Sequence, residues 1–245
     1  MELKDTLKTI LENGITINSS GTTGTPKSIF QSPDKLAAAN RAAIDSQEIT
    51  PESRIYTVCR MQHAGGLLAQ TLPAYSIGAT VVVEPFNAYT WVREIVNYTH
   101  SHITPAHGQA IRSTRGFSTL DLSNIWITCG SDPVSWDLIR AFVERGATFM
   151  ANWGMTEIGP CAINATFRTT AEVTAAQARA TAGTILGNTF YCDYQIVNNE
   201  LWVKGDISVY GDEWYKTGDI VSKNMLGELF YQRRATEERK HETIL

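Results

Sequence analysis

An α/β fold with a mixed, largely parallel sheet covered by helices, and a small C-terminal β-rich lobe, is what the sequence predicts. Three observations lead there. Between residues 79 and 154, short β-branched runs alternate with amphipathic helical segments, the pattern of strand–helix–strand units. From Gly183 onward the pattern changes to short strands separated by turns. The chain has 245 residues and is 43% apolar, enough to bury a large core without a disulfide or metal staple.

Residues 2–12 alternate charge and Leu/Ile at helical spacing and stop at Asn13-Gly14, a helix end. ITIN (15–18) reads as a strand that runs into SSGTTGTPKS (19–28). SPDKLAAANRAAIDSQEI (32–49) opens with a Ser-Pro-Asp start and continues with good helix formers. The Ser/Thr/Gly loop is therefore expected near a strand-to-helix transition, with amides free to meet an anion. ATVVVE (79–84) is a buried strand by its β-branched run, and YTWVREIVNY (89–98) places Val92, Ile95 and Val96 at helical spacing. SHIT (101–104), NIWITCG (124–130) and ATFMANWG (147–154) read as further strands. Before the last of these, SDPVSWDLIRAFVERG (131–146) carries Leu138, Ile139, Phe142 and Val143 on one helical face and closes at Gly146.

TTAEVTAAQARATAG (169–183) is Ala-rich, a helix or a loop. FYCDYQIV, NNELWVKG, DISVYG and GELFYQ then supply the short strands of the lobe. The expected divisions are an α/β unit over 1–182, the β-rich lobe of the same domain over 183–232, and a charged tail over 233–245.

The net charge of −4 gives no footprint for nucleic acid. No apolar run approaches the ~18 residues of a membrane span, and the N-terminus lacks the pattern of a signal peptide. A cytoplasmic protein that binds neither nucleic acid nor membrane is expected. Cys59, Cys129, Cys161 and Cys192 are widely spaced and form no C-x-x-C pair, so they are expected to be reduced and mostly buried. His100, His102 and His107 form H-x-H-x4-H with the first two on one strand face. No further Cys or acidic ligand lies nearby to complete a zinc site.

The loop departs from the G-x-x-x-x-G-K-[ST] phosphate pattern, because Pro26 stands where the second glycine belongs. Proline removes an amide and fixes φ, which breaks the nest that pattern needs. The loop still suits a polyphosphate: small residues admit a close approach, hydroxyls donate, and Lys27 brings charge. Its plainer reading is a solvated linker.

SSGTTGTPKS resembles the phosphate-binding signature of the adenylate-forming superfamily of acyl-CoA synthetases, aryl-acid ligases, luciferases and adenylation domains. Further segments follow in that family's order: MQHAGGLL (61–68), ITCGSDPVS (127–135), NWGMTEIGP (152–160), EWYKTGDI (213–220) and GELFYQRRATEERK (227–240). The resemblance covers the chain from about Ile15 to its end. Within it, NYTHSHITPAHGQAI and the Gly-Gly after His63 are most similar to o-succinylbenzoate–CoA ligases.

The resemblance implies the large domain of such an enzyme, with ATP and Mg2+ as cofactors and a small carboxylic acid as substrate. Ser19, Ser20, Gly21, Thr22, Thr23, Gly24, Thr25 and Lys27 would surround the phosphates. Thr156 would bind the α-phosphate and Glu157 would hold Mg2+. Gly130, Ser131 and Asp132 would lie beside the adenine, and Asn152, Trp153 and Gly154 would present the ring that stacks on it. Asp219 would accept from the ribose hydroxyls, and Arg234 would reach ribose or phosphate. His63, Gly65, Gly66 and the 101–108 segment would border the acyl pocket. Lys27, Thr156, Glu157 and Arg234 are thus the implied catalytic groups.

Plainer readings stand beside these. Glu157 suits a helix start, Trp153 a core, and Asp219 a turn. Arg233-Arg234 suits a solvated tail, and His63 a structural role. Two departures from the family pattern are a tryptophan for its usual tyrosine at 153 and an arginine for its usual glycine at 233. Relative to the family, the chain is expected to lack a front region before the loop and the C-terminal domain that brings a bridging lysine and the CoA tunnel. Adenylation without CoA transfer is one expectation. A weak or inactive nucleotide-binding module completed by a partner chain is the other. A front-region gap would leave a sheet edge bare, which predicts a homodimer.

Overall fold

The computed structural model describes residues 3–19, 27–180 and 182–235. α1 (Leu3–Asn13) buries Leu7 and Ile10 and ends where Gly14 takes φ 77°. β1 (Ile15–Ser19) and β2 (Lys27–Gln31) pair antiparallel, from Ile15 opposite Gln31 to Ser19 opposite Lys27. The loop thus joins the two strands of a β-hairpin, and β2 lies between it and the following helix. α2 (Pro33–Ser46) starts at Ser32, whose hydroxyl accepts from the Lys35 amide, with Pro33 at its first position.

β3 (Arg54–Thr57) leads into a continuous helical segment of α3 (Ala64–Gly66), a π turn (Leu67–Thr71) and α4 (Leu72–Ser76). β4 (Thr80–Val83), α5 (Ala88–Glu94), β5 (His100–Ile103), α6 (Pro105–Arg112), β6 (Trp126–Cys129), α7 (Trp136–Val143) and β7 (Thr148–Met155) continue the alternation. The α7 cap is Ser135, and Leu138, Ile139, Phe142 and Val143 are all buried. β8 (Gly159–Phe167) returns antiparallel to β7, and α8 (Thr170–Ala178) is closed at its start by a Thr169/Glu172 capping box.

β9 (Thr184–Gly187), β10 (Thr189–Phe190), β11 (Asp193–Val197), β12 (Glu200–Lys204), β13 (Tyr215–Lys223) and β14 (Leu229–Arg234) complete the described chain. The large sheet has the order β10-β8-β7-β6-β5-β3-β4. Its β7, β6, β5, β3 and β4 run parallel, β8 runs antiparallel to β7, and β10 runs antiparallel to β8. A second, antiparallel sheet has the order β11-β12-β13-β14-β9. DISVYG, expected as a strand, is instead a turn at 206–211, bounded by Gly205 at φ 137° and Gly211 at φ 58°. Positive φ at both ends interrupts an extended path.

One core packs α5 to α8 on the large sheet around Trp91, Phe142 and Phe149. A second joins α2 and β8 to the antiparallel sheet through Ile158, Ile163, Leu201 and Val203. A polar knot ties α2 to the π turn and β6. Gln47 Nε2 donates to the carbonyls of Ala43 (2.9 Å) and Ala69 (2.7 Å), while Gln47 Oε1 accepts from Gln70 Nε2 at 2.9 Å and from the Thr128 hydroxyl. Among the described residues no helix is long and apolar enough to cross a membrane.

Candidate functional site

β3 leads outward to β4, and the chain then crosses back over β3 to lay down β5. That reversal opens a crevice at the C-terminal ends of β3 and β5, where α/β sheets hold ligands. A cavity of about 770 Å³ occupies it and extends past the ends of β6 and β7 to the antiparallel sheet, large enough for a nucleotide and a small acid.

One part of the cavity wall is built by two hairpins. β7 carries Asn152, Trp153 and Gly154 near its end, and the β7–β8 turn carries Thr156 and Glu157; all five line the cavity. Glu157 is therefore in a hairpin turn, not at a helix start. A Cβ on Gly154 would lie 2.0 Å from the Gly159 carbonyl oxygen, so this crossing requires glycine. In the second hairpin Asp219 on β13 stands directly opposite Arg234 on β14.

Arg234 Nη1 donates to Asp219 Oδ1 at 2.6 Å and to the Thr217 carbonyl at 2.9 Å, and Trp153 Nε1 donates to Asp219 Oδ2 at 2.9 Å. Asp219 is buried, and this clamp joins the two hairpins across the cavity floor. Each carboxylate oxygen keeps a further lone pair for a ligand. Trp153 also packs on the second core, so core and cavity readings both describe it. Arg233 pairs with Ile220, after which the register skips Gln232, a local bulge of the kind that re-aims a strand.

Glu157 is 6% exposed and its Oε1 accepts from the Tyr215 hydroxyl at 3.3 Å. Burial, then the Glu157 charge, push the Tyr215 hydroxyl above its ordinary range, so it stays protonated and donates. Behind the turn, Lys35 is 5% exposed, and its Nζ has no hydrogen-bond partner among the described residues. Burial lowers its pKa to about 7, against an opposing pull from Glu157. A carboxylate and a threonine hydroxyl from adjacent residues of the cavity wall are hard-oxygen donors suited to Mg2+, which takes its remaining ligands from phosphates and water. The residues therefore fit that ion.

Lys27 opens β2, is exposed and lines the cavity beside Asn18. Ser20, Gly21, Thr22, Thr23, Gly24 and Thr25 lie outside the described residues, as does the Ser19 side chain. On the opposite side His63, Gly65, Gly66, Ser131 and Asp132 line the cavity. Ser131 takes φ 79°, a conformation that costs a non-glycine residue about 1–2 kcal/mol. Gly66 is dictated by backbone packing, since a Cβ there would meet the Arg60 carbonyl oxygen at 2.1 Å. Gly130 does not line the cavity; a Cβ on it would lie 2.4 Å from Asn152 Oδ1, so it permits the contact that sets Asn152.

Arg60, Cys59, His102, Thr104 and His107 also line the cavity and were not singled out as its walls by number. His102, Thr104 and His107 lie in the 101–108 segment expected to border the acyl pocket, while Cys59 and Arg60 gave no such signal. Burial pushes the Cys59 thiol up to about 12, which leaves it protonated and a weak nucleophile. The His107 ring stacks on Phe86 with centroids 3.9 Å apart. Among the described residues no group of three His, Cys, Asp or Glu is placed to hold a metal.

The sequence profile of AMP-binding enzymes matches residues 15–216. The chain belongs to the AMP-binding enzyme family. This AMP-binding chain is 31% identical to an indoleacetate–CoA ligase of Aromatoleum aromaticum over 89% of its length and 47% of that protein's. It is 27% identical to a feruloyl-CoA synthase of an Amycolatopsis species over 58% of its length and 30% of that protein's. It thus spans less than half the length of either relative.

Two solved structures show the same fold. One is ATP-bound MatB from Rhodopseudomonas palustris, with TM-score 0.75, 17% identity and coverage of 90% of this chain and 48% of that one. The other is the o-succinylbenzoate coenzyme A synthetase of Bacillus subtilis in complex with AMP, with TM-score 0.74, 20% identity and coverage of 90% and 49%.

Proposed function

We propose that this chain activates a carboxylic acid with ATP, giving an acyl-adenylate and pyrophosphate, and that the acid is aromatic. The observation that carries this is one cavity lined by Lys27, Thr156, Glu157, Trp153, Asp219 and Arg234, in a chain of the AMP-binding enzyme family. The names of the relatives, an indoleacetate–CoA ligase and a feruloyl-CoA synthase, support the aromatic class.

The acid is ionised at neutral pH, so its attack on the α-phosphorus needs alignment and charge stabilisation rather than a base. In this reading Trp153 faces the adenine and Asp219 accepts from the ribose hydroxyls. Arg234 and the Trp153 indole hold that carboxylate still before the nucleotide arrives, which spares reorganisation on binding. The Thr156 hydroxyl donates to the α-phosphate, and Lys27 offsets charge on the departing pyrophosphate. Mg2+, held by Glu157, would neutralise phosphate charge when bound. His63, Gly65 and Gly66 border the acid. CoA as the final acceptor rests on the relatives' names, and no described side chain is assigned to its pantetheine arm.

The test is acid-dependent pyrophosphate release by the wild type, Lys27→Ala and Glu157→Gln. Each substitution should lower release about 10²–10³-fold. Release that persists in both variants would remove the assignment.

A further inference from the structure

Two histidines on β5 face the same side of the sheet and fare differently. His100 is satisfied: its Nε2 lies 3.0 Å from the Gln47 carbonyl oxygen and its Nδ1 lies 2.8 Å from the Thr99 hydroxyl. His102 is 3% exposed, and neither ring nitrogen has a hydrogen-bond partner among the described residues. Leaving two buried polar atoms unpaired is costly, and native folds rarely do so without a functional reason. The residue lines the cavity on its acid side. Gly65, which also lines the cavity, lies against this ring. A Cβ there would come within 3.0 Å of His102 Cε1, 3.7 Å of His102 Nδ1 and 3.2 Å of the Ser131 hydroxyl oxygen. Glycine thus leaves a slot whose walls are an unpaired imidazole and a hydroxyl, the latter held by a residue in the left-handed conformation.

We infer that this slot reads a hydrogen-bonding group, an aromatic N–H or a phenolic O–H, on the acid at a point remote from its carboxylate. The inference rests on the adenylation reading and names its substrate class more closely. Burial keeps the imidazole neutral, with its pKa lowered to about 4. A neutral ring presents one bare nitrogen and one N–H, so an N–H satisfies the first and an O–H satisfies either. An acid lacking such a group leaves the slot unpaired. Selectivity of this kind arises from the unpaired group left behind more than from the bond gained.

The experiment measures equilibrium binding of matched acids to the 245-residue chain in the presence of AMP. Indole-3-acetate is compared with 1-benzothiophene-3-acetate, which has the same bicycle with sulfur in place of N–H. The second pair is 4-hydroxyphenylacetate and phenylacetate. The donor-bearing acid should bind at least about tenfold more tightly in one of the pairs. The preference should fall to within about twofold in His102→Leu and persist in part in His102→Gln, which keeps a polar edge. His102→Leu removes two unpaired buried nitrogens, so its fold is not at risk from lost bonds.

Equal affinity within both pairs, or failure of all four acids to bind a chain that still binds ATP, overturns the inference. So does a preference that His102→Leu retains. Absence of ATP binding by the wild type would instead remove the reading beneath it.

Discussion

Replacing Lys35 by methionine probes the charge buried behind the Glu157 turn. The lysine's folded pKa is lowered to about 7 from 10.5, chiefly by burial. Each tenfold change in proton affinity is worth about 1.4 kcal/mol, so holding this ammonium charged in the fold costs about 5 kcal/mol. Below pH 7 Lys35 is protonated in both states and the fold bears that cost in full. As pH rises from 7 toward 10.5, the folded chain sheds the proton while the unfolded chain keeps it, so stability climbs.

Other groups bracket the window. His100, His102 and His107 have lowered pKa values and act below pH 6.5. Burial raises the thiols of Cys59, Cys129, Cys161 and Cys192, so their unfolded thiolates erode stability from about pH 8 upward, equally in both proteins. Between about pH 7 and pH 9 the wild type should therefore gain about 2 kcal/mol relative to Lys35→Met in urea unfolding, since the folded lysine is already half deprotonated at pH 7. Lys35→Met should be more stable at pH 7 and show no gain toward pH 9. Parallel pH dependences for the two proteins would refute the reasoning.

Asp219→Asn should leave Arg234 without its charged partner and destabilise the chain by about 3 kcal/mol in denaturant, with ATP affinity falling about tenfold or more by calorimetry. Gln47→Leu should cost about 2–4 kcal/mol, because the Gln70 amide and the Thr128 hydroxyl lose their shared acceptor in the core. Gly130→Ala should lower the melting temperature through a contact of 2.4 Å with Asn152 Oδ1, a strain of about 1–3 kcal/mol. If β4 is an uncovered sheet edge in solution, the expected homodimer should appear by light scattering, and a monomer at all concentrations would remove it.

The parallel half of the fold was legible because its signals are strong and local. TVVV is a β-branched run, and α7 puts four large apolar residues on one face. β8 was missed: GPCAINATF has one β-branched aliphatic residue, a proline near its start and two polar residues that its burial does not exclude. The helical segment 64–76 was missed because paired glycines and Pro73 argue against a helix, and tertiary packing of Leu67, Leu68 and Leu72 overrides them. β13 was seen as a motif and not as a strand, since Gly218 interrupts it with φ 74°.

At the site, Trp153, Glu157, Asp219 and Arg234 were named from short ordered motifs, and folding brings them to one cavity. Their mutual contacts were not legible, because pairing across β13 and β14 sets them. Lys35 was the accessible miss. It is the charged residue on the α2 face that buries Leu36, Ala38, Ala39, Ala42 and Ala43, a pattern that marks a buried charge before any coordinates.

The account stands on the claim that this cavity joins ATP to an acid. Pyrophosphate release from Mg-ATP by the purified 245-residue chain, with mass spectrometry for the acyl-adenylate, tests that most directly across aromatic and fatty acids, o-succinylbenzoate included. The account predicts release that requires an aromatic acid, is accompanied by the matching adenylate, and falls about 10²–10³-fold in Glu157→Gln. Release that is independent of any acid, or none from a chain that binds ATP, would contradict it.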